Sequence, residues 1–498
     1  LSLSDLSCRL LAASITFTLS IAFTAGCAGV HGDARISTTG AMQMDAASVR
    51  VTTLATSQPA TTTGVVAKTV SASAFVDSIG LNTHFNYGGT AYVDAEPAVV
   101  NAIVNLHVKH VREGMLYPFE TQFPTYRDAV AKLSAAGVRD IGGVQASDLT
   151  AADFKARWAT WFDSVGGSAW VEASEPPNEC DLNGCLADSP AYQKTLYETI
   201  KRYAPSSSVR VFGPAFANAS SYAGMGDRSR ILDDGNAHLY LLSQPPETTG
   251  LCRVSDACAG GANLGSTIGN TYSLEHQLVA ARVVSANKAI VNTEAGYCTT
   301  VAADGNTRYN DMPRSVQAAY WPRYLLHAFA DVGIPRSYVY DIADDGLSPP
   351  TFDQCGLIDA HAKPKPSYRI LKKLLDTVED PGPRYRPAPL AFTVVANTNV
   401  DGIPIEAVAL GSRNGNYTLA LWNPVSVWYQ QSGNGGNASH PLAVAPISAN
   451  VSLGSSFASA SMMTFDPTTG AAITTPLNPK AQITISVEPT ITLVTLRK

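Results

Sequence analysis

Apolar and polar positions follow two different patterns along this chain, and the change falls near residue 380. From Ser78 to Leu375, short apolar runs alternate with longer segments whose apolar residues recur three or four apart. The short runs predict β-strands and the longer segments predict helices. The predicted strands are 79–86, 108–114, 137–144, 168–174, 208–213, 237–242, 289–294 and 336–342. The predicted helices are 95–107, 124–136, 151–165, 189–203, 272–287, 313–332 and 366–376.

This alternation predicts an α/β fold with a parallel sheet, because a helix between two strands returns the chain to the starting edge of the sheet. Eight such strands predict a closed (β/α)8 TIM barrel. The expected barrel domain spans residues 74–380.

The pattern after the Pro-rich segment 381–389 (PGPRYRPAP) consists of short β-type runs separated by turn residues, and helical periodicity disappears. The runs are EAVALG, NYTLALWN, VSVWYQ, ISANVSLG, AQITISVE and TITLVTL. Several short strands with turn signals between them predict an all-β domain. We expect residues 381–498 to form a β-sandwich.

The N-terminal region reads as an export signal followed by a tether. Residues 10–25 form an apolar run directly after Arg9, which is typical of a signal peptide and is short for a membrane-spanning helix. The Thr-Ala-Gly-Cys ending resembles a bacterial lipoprotein cleavage site, so we expect residues 1–27 to be a signal peptide, with either a lipid on Cys27 or ordinary cleavage. Residues 28–73 are rich in Thr, Ser and Ala and predict a flexible tether. The expected location is the periplasm, the cell surface or the extracellular space, with membrane attachment if Cys27 carries a lipid.

Charge narrows the class of partner. Only 15% of the residues are charged, and 35 Lys and Arg against 41 Asp and Glu give a net charge of −6 with no basic run. Binding to a phosphate backbone requires clustered basic residues. We therefore expect no nucleic-acid partner.

The eight cysteines indicate an oxidising compartment. When Cys8 and Cys27 are set aside, six remain. Two pairs are close in sequence and the third follows by elimination: Cys180 with Cys185, Cys252 with Cys258, and Cys298 with Cys355. The alternative is zinc, but neither close pair has a histidine at the usual spacing, so we expect no metal and no cofactor.

Candidate chemistry lies at the carboxyl ends of the predicted barrel strands, where active sites of this fold are built. Carboxylates are prominent there, and no serine has a nucleophile-elbow sequence. The strand ends carry His84, Asn86, Tyr87, Arg112, Glu113, Glu175, Asn178, Glu179, His238, Tyr240, Glu294, Tyr340 and Asp341.

Two of these strand ends resemble the catalytic motifs of clan A retaining glycoside hydrolases. The string 175–179 (EPPNE) resembles the Asn-Glu acid/base motif, and 292–297 (NTEAGY) resembles the nucleophile motif. Weaker similarity to the same clan occurs at 110–114 (HVREG), on its second strand, and at 238–240 (HLY), on its sixth. The segments 363–368 (KPKPSY) and 417–423 (YTLALWN) are similar to clan members related to β-xylosidases and α-iduronidases.

The resemblance implies Glu179 as acid/base and Glu294 as nucleophile, with Asn178 on the sugar 2-hydroxyl. Arg112 and Tyr240 are expected to hold Glu294 ionised. The further substrate-binding candidates are His84, His238 and Tyr340, for which packing roles are the alternative.

The sequence therefore predicts an exported retaining glycosidase that acts on a polysaccharide or oligosaccharide. The alternatives are a non-catalytic cell-surface carbohydrate-binding protein on the same fold, and an inverting hydrolase. The bridges Cys180–Cys185 and Cys298–Cys355 are expected to brace the substrate cleft.

Overall fold

The structure is a computed structural model that describes residues 63–65, 68–241, 244–247, 274–299, 312–346, 354–383, 385–397, 404–429, 440–479 and 481–498. The expectations for the signal peptide, for a lipid on Cys27 and for the Cys252–Cys258 pair lie outside the described residues. Residues 58–498 form one compact unit.

Eight parallel strands form the barrel, as predicted. They are β3 (Ile79–Thr83), β4 (His110–Gly114), β5 (Arg139–Gly143), β6 (Val171–Glu175), β7 (Arg210–Val211), β8 (Gly235–His238), β9 (Ile290–Gly296) and β10 (Ser337–Tyr340). Each strand pairs with its neighbour in sequence, and β10 pairs with β3. A parallel bridge between Phe212 and Asp234 joins β7 to β8 and closes the ring. The prediction of a TIM barrel is confirmed.

The helices surround the barrel in the predicted order. They are α1 (Ala72–Asp77), α2 (Ala91–Asp94), α3 (Glu96–Asn105), α4 (Phe123–Ala135), α5 (Ala146–Thr150), α6 (Phe154–Ser164), α7 (Ser189–Arg202), α8 (Leu274–Ser285), α9 (Arg314–His327) and α10 (Pro366–Val378). In α10, Pro366 stands in the first turn, where a missing N–H costs nothing, and Leu371, Leu374, Leu375 and Val378 are buried against the barrel. Between β7 and β8 the chain forms only the short 3-10 turns Ala219–Gly224 and Ser229–Ile231.

The C-terminal region forms two stacked, mainly antiparallel β-sheets and a small two-stranded sheet. Its strands are β11 (Phe392–Ala396), β12 (Glu406–Gly411), β13 (Tyr417–Trp422), β14 (Trp428–Tyr429), β15 (His440–Pro441), β16 (Ile447–Leu453), β17 (Ser459–Phe465), β18 (Ala472–Leu477), β19 (Gln482–Val487) and β20 (Thr492–Arg497). One sheet has the order β11, β16, β19, and the other has β18, β17, β20, β13, β12. Buried side chains from both sheets, such as Val394, Leu419, Val451 and Val494, fill the space between them.

The predicted tether over residues 28–73 is wrong at its C-terminal end. Strand β1 (Thr63–Val65) pairs antiparallel with β11, and β2 (Lys68–Ser71) pairs parallel with β12. Both strands therefore complete the sheets of the C-terminal domain before the chain enters the barrel. The local sequence is short and rich in Thr, Val and Ala, and its strand form depends on a partner edge that lies far along the chain.

A buried ion pair joins the barrel to the sandwich. The guanidinium of Arg323 on α9 is fully buried and binds the Glu247 carboxylate, with Nε donating to Oε1 at 2.9 Å. The Arg323 Nη1 also donates to the backbone oxygens of Val425 and Pro489, each at 3.0 Å, and the indole of Trp422 donates to Glu247 at 2.7 Å. The guanidinium and the carboxylate are thus bonded to each other and to groups of the sandwich. Such additional hydrogen bonds are the condition for burying charge without a large penalty in free energy.

A second contact across this interface should make stability depend on pH. The His327 Nδ1 lies 3.1 Å from a Glu406 oxygen and 3.5 Å from an Asp331 oxygen. Burial lowers the pKa of His327, but these carboxylates outweigh it and raise the pKa from 6.5 to about 10. Because the pKa is higher in the folded state, protonated His327 stabilises the fold. This stabilisation is fully present below pH 6.5 and is lost as the pH rises through about 10.

We expect His327→Gln to lower the free energy of unfolding by about 3 kcal/mol at pH 6, the usual cost of removing one partner from a buried ion pair. The difference from wild type should shrink steadily towards pH 10. Denaturant unfolding at several pH values measures it, with the exposed His361→Gln as matched control. A difference that is constant with pH would contradict the assignment.

Among the helices of the described residues, none is both long and apolar enough to span a bilayer.

Candidate active site

A cavity of about 400 Å³ opens at the carboxyl ends of the barrel strands. Its floor is formed by strand-end side chains and its walls by the loops after β3 to β6. The polar lining residues are Asn82, Thr83, His84, Asn86, Tyr87, Arg112, Glu113, Gln145, Glu175, Asn178, Asn183, Glu294 and Tyr340. The position agrees with the rule that barrel enzymes build their sites at this end.

Glu294 on β9 is held by two donors. Its Oε1 accepts a hydrogen bond from Arg112 Nη1 at 2.5 Å, and its Oε2 accepts one from the Tyr240 hydroxyl at 2.9 Å. Burial raises the pKa of Glu294, but the charges of His238 and Arg112 and the bond from Tyr240 outweigh burial, so the pKa lies below its ordinary value. The contacts that the sequence predicted for Arg112 and Tyr240 are present, and Glu294 is ionised at neutral pH.

Arg112 on β4 connects most of the cavity floor. Its Nε binds Glu175 and its Nη1 also donates to Asn82 Oδ1 at 2.8 Å, while Nη2 donates to Asn178 Oδ1 at 2.7 Å. Burial lowers the pKa of Arg112, but Glu175 and Glu294 outweigh burial and raise it. The planar guanidinium therefore fixes two carboxylates and two amides in one arrangement.

Glu179 lies on the loop after β6 and has a backbone φ of 39°, in the left-handed region that non-glycine residues rarely adopt. Its carbonyl accepts hydrogen bonds from the amides of Leu182 and Asn183 at 2.8 and 3.0 Å. The Asp181 carboxylate accepts three bonds from Asn218 and its neighbour Ala217. The loop is thus stabilised by its own backbone hydrogen bonds and by hydrogen bonds to the loop after β7. These bonds maintain the uncommon backbone conformation of Glu179.

His238 ends β8 and stands between the two glutamates. Its Nδ1 lies 2.8 Å from Glu179 Oε1 and 3.6 Å from Glu294 Oε2. Burial lowers the pKa of His238, but the two carboxylates outweigh it and raise the pKa. The register of β8 against β9 shifts by one residue at Thr293, so Ala237 pairs with Asn292 and His238 pairs with Glu294. Its side chain is fully buried, so His238 contacts the glutamates and not the cavity, which differs from the substrate contact expected from the sequence.

The carboxylates of Glu179 and Glu294 are close together. Their nearest oxygens, with His238 Nδ1, all lie within 4.8 Å of one another. Glu294 lines the cavity, whereas Glu179 lies beside it with 16% of its side chain exposed. The neighbours Asn178 and Asn183 of the same loop line the cavity.

The opposite wall contains His84 and Tyr340. The His84 Nδ1 lies 2.8 and 2.9 Å from the two Asp345 oxygens, and its ring is 5.5 Å from that of Tyr340. Both side chains line the cavity, and neither contacts the two glutamates through a described hydrogen bond. Their contact with substrate stays a prediction.

Two of the predicted disulfides are formed: Cys180–Cys185 and Cys298–Cys355. The first closes the Glu179 loop, and Cys185 lines the cavity. The second joins the segment after β9 to the segment after β10. Both bridges therefore brace loops at the mouth of the barrel, and two disulfides are typical of proteins in an oxidising compartment.

Three groups of described side chains bring ligand atoms close enough for a metal ion: His84 with Asp341 and Asp345, Glu179 with His238 and Glu294, and His327 with Asp331 and Glu406. In each group the imidazole nitrogen faces a carboxylate within hydrogen-bond distance. Each of these imidazole nitrogens is thus paired with a carboxylate, whereas His238 Nε2 and Asp341 Oδ1 are buried without a hydrogen-bond partner among the described residues.

Two residues that hold the site together, Asn236 and Asp345, were not predicted from the sequence. Asn236 Nδ2 donates to Glu175 Oε2 at 2.7 Å, and Asn236 Oδ1 accepts from Thr293 at 2.8 Å. Asn236 precedes His238 by two positions, so strand alternation places both on one face, which is the signal that the sequence offered. Asp345 lies beyond the end of β10, and no local pattern indicates its pairing with His84.

No family model matches this chain, and no curated protein matches it. Solved structures do match. A family 39 glycoside hydrolase from the gut symbiont Bacteroides cellulosilyticus WH2 is 12% identical with a TM-score of 0.53, covering 85% of this chain and 82% of that one. A glucosidase from Croceicoccus marinus is 11% identical with a TM-score of 0.53, covering 87% of this chain and 99% of that one. At these identities the similarity establishes a shared fold, a barrel with a C-terminal all-β domain, whose structural neighbours are glycoside hydrolases.

Proposed function

We propose that this protein is a retaining O-glycoside hydrolase in which Glu294 is the nucleophile and Glu179 the general acid/base. The distance between the two carboxylates carries the proposal: their nearest oxygens lie within 4.8 Å. Retaining enzymes place their carboxyl groups roughly 5–5.5 Å apart, whereas inverting enzymes need roughly 6.5–9.5 Å to admit a water molecule. The 4.8 Å bound applies to the nearest oxygens and not to the centres of the carboxyl groups, and oxygens this close support the shorter separation of the retaining class.

The electrostatics support the same division of roles. Glu294 has a lowered pKa, accepts two hydrogen bonds and lines the cavity, so an ionised oxygen is available to attack the anomeric carbon. Glu179 would donate a proton to the leaving oxygen and then deprotonate the water that hydrolyses the glycosyl-enzyme. His238 contacts Glu179 and lies near Glu294. The protonation state of one glutamate can therefore influence that of the other through the imidazole.

Asn178 and Arg112 would position the sugar and the nucleophile. Because Asn178 Oδ1 already accepts from Arg112, its amide nitrogen is the group that remains to donate to the sugar 2-hydroxyl. Such a bond strengthens in the transition state. Arg112 acts through Glu294 and Asn178 and is therefore a positioning residue.

The substrate class in this proposal is an oligosaccharide or polysaccharide, met outside the cytoplasm. The two disulfides support an oxidising compartment. The motif similarity to the β-xylosidase and α-iduronidase group and the lipid on Cys27 remain predictions. A non-catalytic carbohydrate-binding protein is the weaker candidate, because binding alone does not require a pair of adjacent carboxylates with one held ionised.

The stereochemistry of hydrolysis tests the proposal. Wild-type protein is mixed with a panel of aryl glycosides, and the first-formed sugar is observed by proton NMR before mutarotation. We expect the product to have the anomeric configuration of the substrate. A first product of inverted configuration would contradict the retaining mechanism. If no glycoside or oligosaccharide were hydrolysed, the proposal that the protein is a glycosidase would be wrong.

A further inference from the structure

One aromatic ring stands open at the cavity. Tyr87 lies on the loop after β3, lines the cavity and is 47% exposed. Among the described residues, Tyr87 and Phe119 are the two aromatic side chains with large exposed surfaces. Phe119 stacks on Tyr117 and does not line the cavity. An aromatic ring that is exposed to solvent in a polar cleft gains no free energy from burial of its apolar surface. Its position therefore indicates that a ligand covers it.

The ring of Tyr87 is supported from behind. It stacks on His84 with ring centres 4.4 Å apart and planes inclined by 22°. His84 is itself fixed by the two oxygens of Asp345. The Tyr87 amide donates to the His84 carbonyl at 2.8 Å, and the Thr90 hydroxyl donates to the Tyr87 carbonyl at 2.8 Å. The ring is therefore oriented before any ligand arrives, which reduces the entropic cost of binding.

The charges around the cavity restrict which sugar fits. Three acidic side chains line it, those of Glu113, Glu175 and Glu294, against one guanidinium, that of Arg112. Burial raises the pKa of Glu113 to about 7, so this group is only partly charged at neutral pH. Arg112 already donates to Glu175, Asn82, Glu294 and Asn178. Among the described lining residues, no further Lys or Arg is available for an acidic substrate group. A uronic acid would therefore bring a carboxylate beside other acidic side chains without a basic partner.

The remaining polar lining suits hydroxyl groups. It includes the amide side chains of Asn86, Gln145, Asn178 and Asn183, a type of group that can both donate and accept. A neutral sugar presents hydroxyls around its edge and an apolar C–H face, which matches amides around an open aromatic ring.

We propose that Tyr87, backed by His84 and oriented through Asp345, is the platform on which a neutral sugar ring of the substrate stacks. The proposal rests on the glycosidase function above and names the class of its substrate. It also places the stacking residue on the loop after β3, on the wall formed by His84 and Tyr340.

The test compares Tyr87→Ala and Tyr87→Trp with Phe119→Ala as the matched control, using neutral oligosaccharides and their uronic-acid counterparts. We expect Tyr87→Ala to raise KM on the best neutral substrate about tenfold, because the stacked apolar face is lost. Tyr87→Trp and Phe119→Ala should remain within about threefold of wild type, and kcat should change little in all three. Thermal unfolding of each variant verifies folding.

The possible results separate the two proposals. If wild type hydrolyses no substrate, the glycosidase function fails and the platform fails with it. If wild type is active but Tyr87→Ala behaves like Phe119→Ala, the platform alone is wrong. If Tyr87→Trp loses as much as Tyr87→Ala, the ring is not a stacking surface. A preference for uronic-acid substrates would overturn the assignment of a neutral sugar.

Discussion

Replacing Glu294 with glutamine is expected to lower kcat by about 10⁴-fold or more, the scale seen when a nucleophile is removed from an enzyme that forms a covalent intermediate. Glutamine keeps the shape of the side chain. Its oxygen can accept from Arg112 and its NH2 can donate to the hydroxyl oxygen of Tyr240, so the cavity should keep its form. What is lost is the ionised oxygen that attacks the anomeric carbon. Steady-state hydrolysis of an aryl glycoside by wild type and variant measures the effect.

The matched control for this change is Glu198→Gln, which alters a glutamate on the outer helix α7 that pairs with Arg202. Surface ion pairs of this kind contribute little to stability. We expect the control to retain wild-type activity. If Glu294→Gln keeps activity within a few fold of the control, Glu294 is not the nucleophile.

Replacing Glu179 with alanine should give the second largest loss, about 10²–10⁴-fold in kcat, the range that general acid–base catalysis contributes. The loss should depend on the leaving group. A dinitrophenyl glycoside leaves without a proton, so formation of the glycosyl-enzyme is largely preserved and its hydrolysis becomes slow. A poor leaving group requires the missing acid in the first step and should be hydrolysed much more slowly.

Added azide distinguishes this role from a structural one. Azide needs no general base, so it should attack the accumulated glycosyl-enzyme, restore turnover of the dinitrophenyl substrate and yield a glycosyl azide with the substrate's configuration. The deletion also removes the partner of His238 Nδ1. A merely structural effect of that loss would lower turnover without rescue by azide, and such a result would reject Glu179 as acid/base.

Much of the site could be predicted because its signals are local. Glu175 and Glu294 follow apolar runs that predict strands, and in a barrel every strand end lies at one rim. The pair Cys180 and Cys185 is close enough in sequence to bridge within one loop. The eightfold alternation that predicts the barrel is likewise visible segment by segment.

The rest of the site depends on side chains that meet across strands. Arg112 on β4 reaches Asn82 on β3 and Glu294 on β9, and Asn236 on β8 reaches Glu175 on β6. Strand periodicity states which face a residue occupies, but it does not state which residues of other strands lie at the same height. That height is set by the tilt and register of the closed barrel.

By itself the sequence determined the α/β barrel and the all-β C-terminal domain. It also determined the two glutamates as candidates and the pairing of the cysteines that the structure describes. These features could be predicted because hydrophobic periodicity and the residue types at strand ends are properties of short segments. Only the tertiary structure decided that β1 and β2 complete the C-terminal sheets, that His238 faces the glutamates and that Tyr87 stands open on His84. These features depend on which distant edges and rings meet, and that is fixed by long-range packing and strand register, not by any local pattern.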